Sequence, residues 1–228
     1  MDYSKLIATV KPSIALVITT KQDANGNQVT PFGSGFAYKE AGKLATCNHI
    51  VQDATKIQIR FTGTTTLIDA TVHKQDVVHD LAILDFSIPQ GMTVTPLLMP
   101  DPLDVKEGHP VLFCGFPIFG TTFLSHQGMI SAIETDALGN IVYAVDGPVN
   151  KGNSGGPLLT SDGKVIGVMS NKVHNDTDNM LSGMAQLASG AISIMGTDLV
   201  NIHKRFIDNI QLGIGLARPA MYLDAIIS

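Results

Sequence analysis

Short apolar runs, many of them alternating with polar residues, fill most of this chain and are separated by Gly, Pro, Asn and Asp. Alternation with period two places successive side chains on opposite faces, the signature of a half-buried strand. It predicts strands at 13–20, 29–38, 43–47, 56–61, 66–74 and 81–86. A second set is predicted at 110–115, 125–133, 141–145, 157–160, 164–170 and somewhere within 184–195. Pro89 to Pro102 holds four prolines and reads as the linker between the sets. Helical spacing is confined to the ends. A lead-in helix is predicted over 2–10, halted by Pro12. A final helix is predicted from Gly196-Thr197-Asp198, with Thr197 or Asp198 as cap and Leu199, Ile202, Phe206 and Ile210 on one face. The expected architecture is all-β. It is one domain over 1–228, with an N-terminal half at 1–88, a linker at 89–104, a C-terminal half at 105–196, and a helix and tail at 197–228.

Composition narrows this further. The chain has 228 residues, enough for a sizeable core. Hydrophobic residues make up 44%, charged residues only 15%, and there are 22 glycines and 11 prolines, which suits many short strands and tight turns. The formal net charge of -5, with no basic run interleaved with aromatics, argues against nucleic-acid binding. No stretch reaches the roughly 20 apolar residues of a membrane span. Met1-Asp2-Tyr3-Ser4-Lys5-Leu6 lacks the basic and apolar regions of a signal peptide. As written, the chain is expected to be cytoplasmic, or periplasmic or secreted if it is a mature domain.

Candidate chemistry centres on Gly152-Asn153-Ser154-Gly155-Gly156-Pro157. Glycines around a serine let the backbone approach a substrate carbonyl closely, so peptide N–H groups can bind a developing oxyanion. By itself the run is also compatible with a surface turn. Two upstream segments supply what a serine nucleophile lacks at neutral pH, a base and an acid to orient it. His49 follows the apolar run that ends in Thr46-Cys47-Asn48, and Asp80 opens the strand Leu81-Ala82-Ile83-Leu84. Gly152–Gly156 also fits the nucleophile elbow of α/β-hydrolases, but that fold needs its Asp and His after the serine and helices before it. Asp76 and Asp85 read as solvated charges at strand ends, and His79 as pointing away from Asp80. His73, His109, His126, His174 and His203 have no paired context. No metal site or cofactor is expected, since neither Cys47 nor Cys114 has ligand spacing.

Several ordered motifs resemble the chymotrypsin-fold serine proteases, and within them the HtrA/Deg protease domain, from about Pro12 to about Ser170. Gly33-Ser34-Gly35-Phe36 resembles the family's "GSGF", and Thr46 to Val51 its "TNxHV" or "TAAHV". Asp80-Leu81-Ala82-Ile83-Leu84 matches "DLAVL". Val105 to Pro117 is similar to "vGd.V.aiGnP", Gly128 to Ala132 to "GIVSA", and Gly163 to Val168 matches the strand after the nucleophile. The resemblance implies two six-stranded antiparallel β-barrels and serine endopeptidase activity through an acyl-enzyme. It implies Ser154 as nucleophile, His49 as base and Asp80 as orienting acid. Gly152, Asn153 and Ser154 form the implied oxyanion-hole segment, with the N–H groups of Gly152 and Ser154 as donors.

The resemblance also assigns Pro148, Val149, Lys151, Ser170, Asn171 and Lys172 to substrate binding, with Ser170 beside Asp80. Pro148 stands where trypsin-like relatives carry an acidic residue for basic substrates, so the expected preference is for a small or medium apolar residue before the cut. Asn153 replaces the aspartate that pairs with a new amino terminus in digestive relatives. Cys47 and Cys114 are expected in different barrels, as buried thiols rather than a disulfide, with Cys47 behind the histidine. With 58 residues after Ser170, no PDZ-sized segment follows the barrels in this chain. His174 to Met195 does not reproduce the family ending "ISFAIP" cleanly. The tail from Ile207 to Ser228 is expected to pack on the barrel or support contacts in a homo-oligomer. The expected partner is a protein or peptide substrate. A catalytically silent binding protein of the same fold and a viral or phage processing protease are the competing readings.

Overall fold

The computed structural model describes residues 2–101, 103–118, 122–172, 187, 189–202 and 213–227. Strands dominate. In the first half these are β1 (Ile14–Gln22), β2 (Gln28–Val29), β3 (Phe32–Ala37), β4 (Lys43–Cys47), β5 (Lys56–Phe61), β6 (Ile68–Asp76) and β7 (Leu81–Phe86). All pairings are antiparallel in the order β1-β3-β4-β7-β6-β5. The β1–β5 pair closes this ring, while β2 only extends the β1 hairpin. Closure removes the free edges that a short-stranded sheet would otherwise expose.

The second half contributes β8 (Pro110–Ile118), β9 (Thr122–Thr135), β10 (Ile141–Asp146), β11 (Pro157–Leu159), β12 (Val165–Lys172), the small hairpin β13 (Ser193–Ile194) and β14 (Thr197–Asp198), and β15 (Ile214–Pro219). A closed barrel runs β10-β15-β12-β11-β8-β9. The architecture is thus two closed six-stranded antiparallel barrels, as the resemblance implied. Helices are short: α1 (Ser4–Val10), continued by a 3-10 turn at Lys11–Ser13; α2 (Asn48–Val51); and α3 (Met221–Ile227).

One strand is displaced from its expected place. The sixth strand of the second barrel is β15, paired with β10 and β12, not a segment of 184–195. Residues 173–186 and 203–212 lie outside the described residues, and with them Phe206, Ile210, His174 and His203. The described start of the expected final helix is helical at 199–202. There Asp198 Oδ1 accepts the Asn201 N–H at 3.1 Å, which makes Asp198 the cap. The C-terminal tail adds α3, whose Leu223 and Ile227 are buried in the same core cluster as β1, β3, β4 and β7. Tyr38 Oη donates to Asp224 Oδ1 at 2.7 Å, fastening α3 to the first barrel.

Candidate active site

Strand register brings the acid to the base. Cys47 of β4 faces Leu81 of β7, so the residues just beyond each strand end adjoin, and the Asn48 N–H donates to the Asp80 carbonyl at 3.1 Å. β4 then turns into the single helical turn α2, which lifts His49 out of the core while Asn48, Ile50 and Val51 remain buried. Asp80 ends the four-residue turn between β6 and β7 with φ 56, in the left-handed region that costs a non-glycine residue energy unless its surroundings hold it. Here they do. Asp80 Oδ1 accepts the His49 N–H at 2.9 Å, and Oδ2 faces His49 Nδ1 at 2.8 Å and accepts the Ser170 hydroxyl at 2.8 Å.

Burial pushes the Asp80 carboxyl up. The His49 ring bond and charge, the His49 N–H and the Ser170 hydroxyl outweigh that and hold it below its ordinary value. An ionised carboxylate can only accept, so the proton of this bond sits on His49 Nδ1.

The nucleophile loop between β10 and β11 is gripped from both barrels. Ser34 of β3 donates its N–H to the Ser154 carbonyl at 2.8 Å and its hydroxyl to the Gly152 carbonyl at 2.6 Å, and the same hydroxyl accepts the Phe116 N–H at 2.9 Å. From β12, the Met169 carbonyl accepts the Gly155 N–H at 2.7 Å. Gly152 (φ 99) and Gly155 (φ 83) take backbone angles that L side chains rarely adopt. A Cβ on Gly152 would stand 2.3 Å from the Phe116 carbonyl oxygen, and one on Gly155 2.0 Å from that of Ser34. The Ser154 hydroxyl, half-buried, donates to the Ser170 carbonyl at 2.6 Å rather than to His49. A cavity of about 470 Å³ is lined by Thr30, Pro31, Phe32, His49, Ile50, Val149, Asn150, Lys151, Gly152 and Ser154.

The expected site residues therefore converge unequally. His49, Asp80, Ser154 and Ser170 form one connected constellation. Val149, Lys151 and Gly152 line the cavity beside it. Pro148 is exposed and is not part of that lining. The Asn153 side chain is fully buried, and its N–H is occupied by the Asn150 carbonyl at 3.0 Å, which leaves Gly152 and Ser154 as the candidate oxyanion donors. Asn171 and Lys172 continue the backbone of β12 opposite Leu216 and Gly215.

Asp76 is a paired and mostly buried charge, whereas Asp85, with 45% of its side chain exposed, is the solvated strand-end charge expected, though paired. Asp76 Oδ2 faces His79 Nδ1 at 2.5 Å, and Asp85 pairs with Lys43 at 2.7 Å and His73 at 3.0 Å. His79 does not simply turn away from Asp80 on a strand; it belongs to the turn that carries it. Lys21, whose Nζ donates to the His49 carbonyl at 2.8 Å, was not legible at all, because nothing in its sequence neighbourhood marks it. Ser34 was visible only as part of the "GSGF" motif.

Cys47 and Cys114 are free, buried, and in separate barrels. Donor atoms of Cys47, His49 and Asp80 lie within 4.8 Å of one another. Burial and the Asp80 charge push the Cys47 thiol well up, however, and its Sγ–H is directed at the Met169 carbonyl at 3.3 Å. A protonated thiol makes a poor metal ligand or nucleophile. The trio is better described as the hydrogen-bonded His49–Asp80 pair with a protonated thiol behind it. Among the described residues no helix is long and apolar enough to cross a membrane.

Comparison with known proteins agrees with this geometry. Residues 33–168 match the trypsin-like peptidase domain. The "Serine protease HtrA-like" of Staphylococcus epidermidis is 31% identical over 176 residues, covering 69% of this chain and 29% of the relative. The "Periplasmic serine endoprotease DegP" of Salmonella typhimurium is 30% identical over 201 residues, covering 77% of this chain and 41% of the relative. The "Serine protease Do-like HtrA" of Lactobacillus helveticus is 32% identical over 195 residues, covering 80% and 46%. This chain thus spans less than half the length of these relatives. The solved structure of the HtrA-type protease AlgW with a tripeptide superposes over all of this chain and 62% of AlgW, with a TM-score of 0.73 at 22% identity, a likeness of fold. Barrel topology, the matched span and these relatives together place this chain in the trypsin-like peptidase domain family, among proteins similar to the HtrA and DegP proteases.

Proposed function

We propose that this protein is a serine endopeptidase that cleaves after small or medium apolar residues. The observation that carries the reading is the His49 Nδ1–Asp80 Oδ2 hydrogen bond of 2.8 Å in the cleft that also exposes Ser154. Asp80 fixes the tautomer and offsets the charge of the imidazolium that forms during attack. The Ser170 carbonyl is an acceptor a substrate backbone N–H can claim as it pairs with β12. Once claimed, the Ser154 hydroxyl is released to His49 Nε2. Ser154 Oγ then attacks the scissile carbonyl as its proton passes to Nε2. The oxyanion lies toward the N–H groups of Gly152 and Ser154, each such donor worth about 10²–10³ in turnover. His49 returns the proton to the leaving amine, and water repeats the sequence on the acyl-enzyme.

The apolar preference rests on Val149, which is buried beside Gly215 and Met169: a Cβ on Gly215 would stand 2.2 Å from Val149 Cγ2 and 3.0 Å from Met169 Cε. Among the described residues the cavity lining carries Lys151 and no carboxylate to receive a basic side chain. Unfolded or flexible proteins are the proposed substrates. The periplasmic placement in the Salmonella relative's name supports an exported location. The test is labelling with a serine-reactive fluorophosphonate, alongside casein hydrolysis. Labelling at Ser154 that disappears in Ser154→Ala supports the enzyme. Folded wild-type protein that neither labels nor cleaves casein would instead be a silent member of the family.

A further inference from the structure

Two side chains, Asp76 and His79, hold the turn that delivers Asp80. β6 ends at Asp76 and β7 begins at Leu81, and the two face each other in register, so residues 77–80 form the loop of a hairpin. Val77 and Val78 project into solvent, 71% and 54% exposed. The Val78 N–H bonds to Asp76, and the side chains of His79 and Asp80 are both anchored. Asp80 closes the loop in the left-handed region, where a four-residue loop built on a tight turn normally prefers glycine or asparagine. Such a conformation persists only where neighbours over-determine it.

The neighbours of His79 come from three elements. Asp76 Oδ1 accepts the His79 N–H at 3.0 Å and Oδ2 faces its Nδ1 at 2.5 Å. Nε2 lies 3.2 Å from Asn140 Oδ1, in the turn between β9 and β10 of the second barrel. The ring stacks on Tyr222 of α3, with centroids 3.8 Å apart and planes 17° from parallel. These partners are themselves fixed. Tyr222 Oη accepts the Ile141 N–H at 2.9 Å, and Asp136, bound to Arg218 at 2.8 Å, accepts the Asn140 N–H at 3.0 Å.

We propose that His79 is a positioning residue for Asp80, and that Tyr222 of the C-terminal helix is the platform on which it is held. Asp76, Asn140 and Tyr222 fix the imidazole. The imidazole fixes the peptide that precedes Asp80, and the carboxylate is thereby aimed at His49. The last element of the chain thus sets the geometry of a residue almost a hundred and fifty positions earlier, across the seam between the barrels.

This inference rests on the peptidase reading for its kinetic readout and carries a second readout that does not. His79→Ala and Tyr222→Leu are expected to lower kcat by about 10–100-fold while KM moves less than about twofold, the signature of misplaced machinery. Tyr222→Phe keeps the ring and restores turnover relative to Tyr222→Leu. In an Asp80→Asn background, His79→Ala costs nothing further, because its effect passes through Asp80. The second readout is the proton resonance of His49 Nδ1–H bonded to Asp80, followed in the uncleaved protein. It is expected to be lost or shifted in His79→Ala and kept in Tyr222→Phe. A lowered melting temperature with unchanged kcat, an equal loss in the Asp80→Asn background, or an unmoved resonance would overturn the proposal. If wild-type protein shows no turnover, the peptidase reading fails and the resonance alone decides this one.

Discussion

Ser170 joins Asp80 to Ser154: its hydroxyl donates to Asp80 Oδ2 at 2.8 Å, and its carbonyl accepts the Ser154 hydroxyl at 2.6 Å. One residue of β12 therefore touches the proposed orienting acid and the proposed nucleophile together. Side chain and backbone separate the two roles, because a substitution removes the first and spares the second.

Ser170→Ala is expected to lower kcat by about tenfold. A hydrogen bond to a charged group is worth about 1.5–3 kcal/mol, and only part of that is felt at the transition state. The Asp80 carboxyl should rise toward its ordinary value. Steady-state kinetics on a peptide substrate measure the first effect. Unchanged kcat would mean that His49 alone orients Asp80.

Ser154→Ala and His49→Ala are each expected to remove at least about 10⁴-fold of turnover, and the double variant about as much as either, since the groups act as a unit. Cys47→Ala should leave fluorophosphonate labelling intact, because its thiol is buried and directed at the Met169 carbonyl. Labelling that vanished in Cys47→Ala while the protein stayed folded would contradict the assignment of the nucleophile.

Gly155→Ala adds a methyl 2.0 Å from the Ser34 carbonyl oxygen and 2.5 Å from Thr46 Oγ1, at a residue with φ 83. Strain and overpacking together are expected to cost about 2–5 kcal/mol and to abolish activity. Thermal unfolding measures the cost. A Gly155→Ala protein of wild-type stability would show that β3 does not clamp this loop as described.

The Arg218 guanidinium, with the Asn140 and Leu138 N–H groups, pulls the Asp136 carboxyl down from 3.8 to about 2. A depressed carboxyl stabilises the folded state above its unfolded value, and that contribution is lost as pH falls from about 3.8 through about 2. Asp136→Asn is therefore expected to lower the melting temperature at pH 6. The gap from wild type should shrink steadily between pH 4 and pH 2. A gap that does not depend on pH would mean that the ion pair is not its source.

Peptides with Val, Leu or Met before the cut are expected to exceed those with Arg or Lys by at least about tenfold in kcat/KM. A library profile is the measurement. A profile led by basic residues would mean that a carboxylate outside the described cavity lining reaches the pocket.

Most strands were legible because a strand that is half buried in a barrel writes its two faces into the sequence as alternation. The strands from Ile14 to Phe86 and from Pro110 to Lys172 all fall on predicted runs, within a few residues at their ends. β15 escaped because Ile214-Gly215-Leu216-Ala217-Arg218-Pro219 follows a long segment with mixed patterning and lacks a clean apolar–polar alternation of its own. Its place in the barrel comes from pairing with β10 and β12, which are far from it in sequence.

Local chemistry made Ser154, His49 and Asp80 visible, since each sits in a segment whose composition suits the role proposed for it: small residues around Ser154, an apolar strand end beside His49 and beside Asp80. Sequence pattern alone thus marked most of the strands, the order His49, Asp80, Ser154 along the chain, and the absence of long apolar or basic runs. Tertiary structure alone decided which hydrogen bonds join them. Ser34 on Gly152, Lys21 on His49, and Asp76, Asn140 and Tyr222 on His79 are contacts between residues distant in the chain. No local pattern encodes them, because their energy arises only when two closed barrels and the last helix bring those groups within hydrogen-bonding or stacking distance.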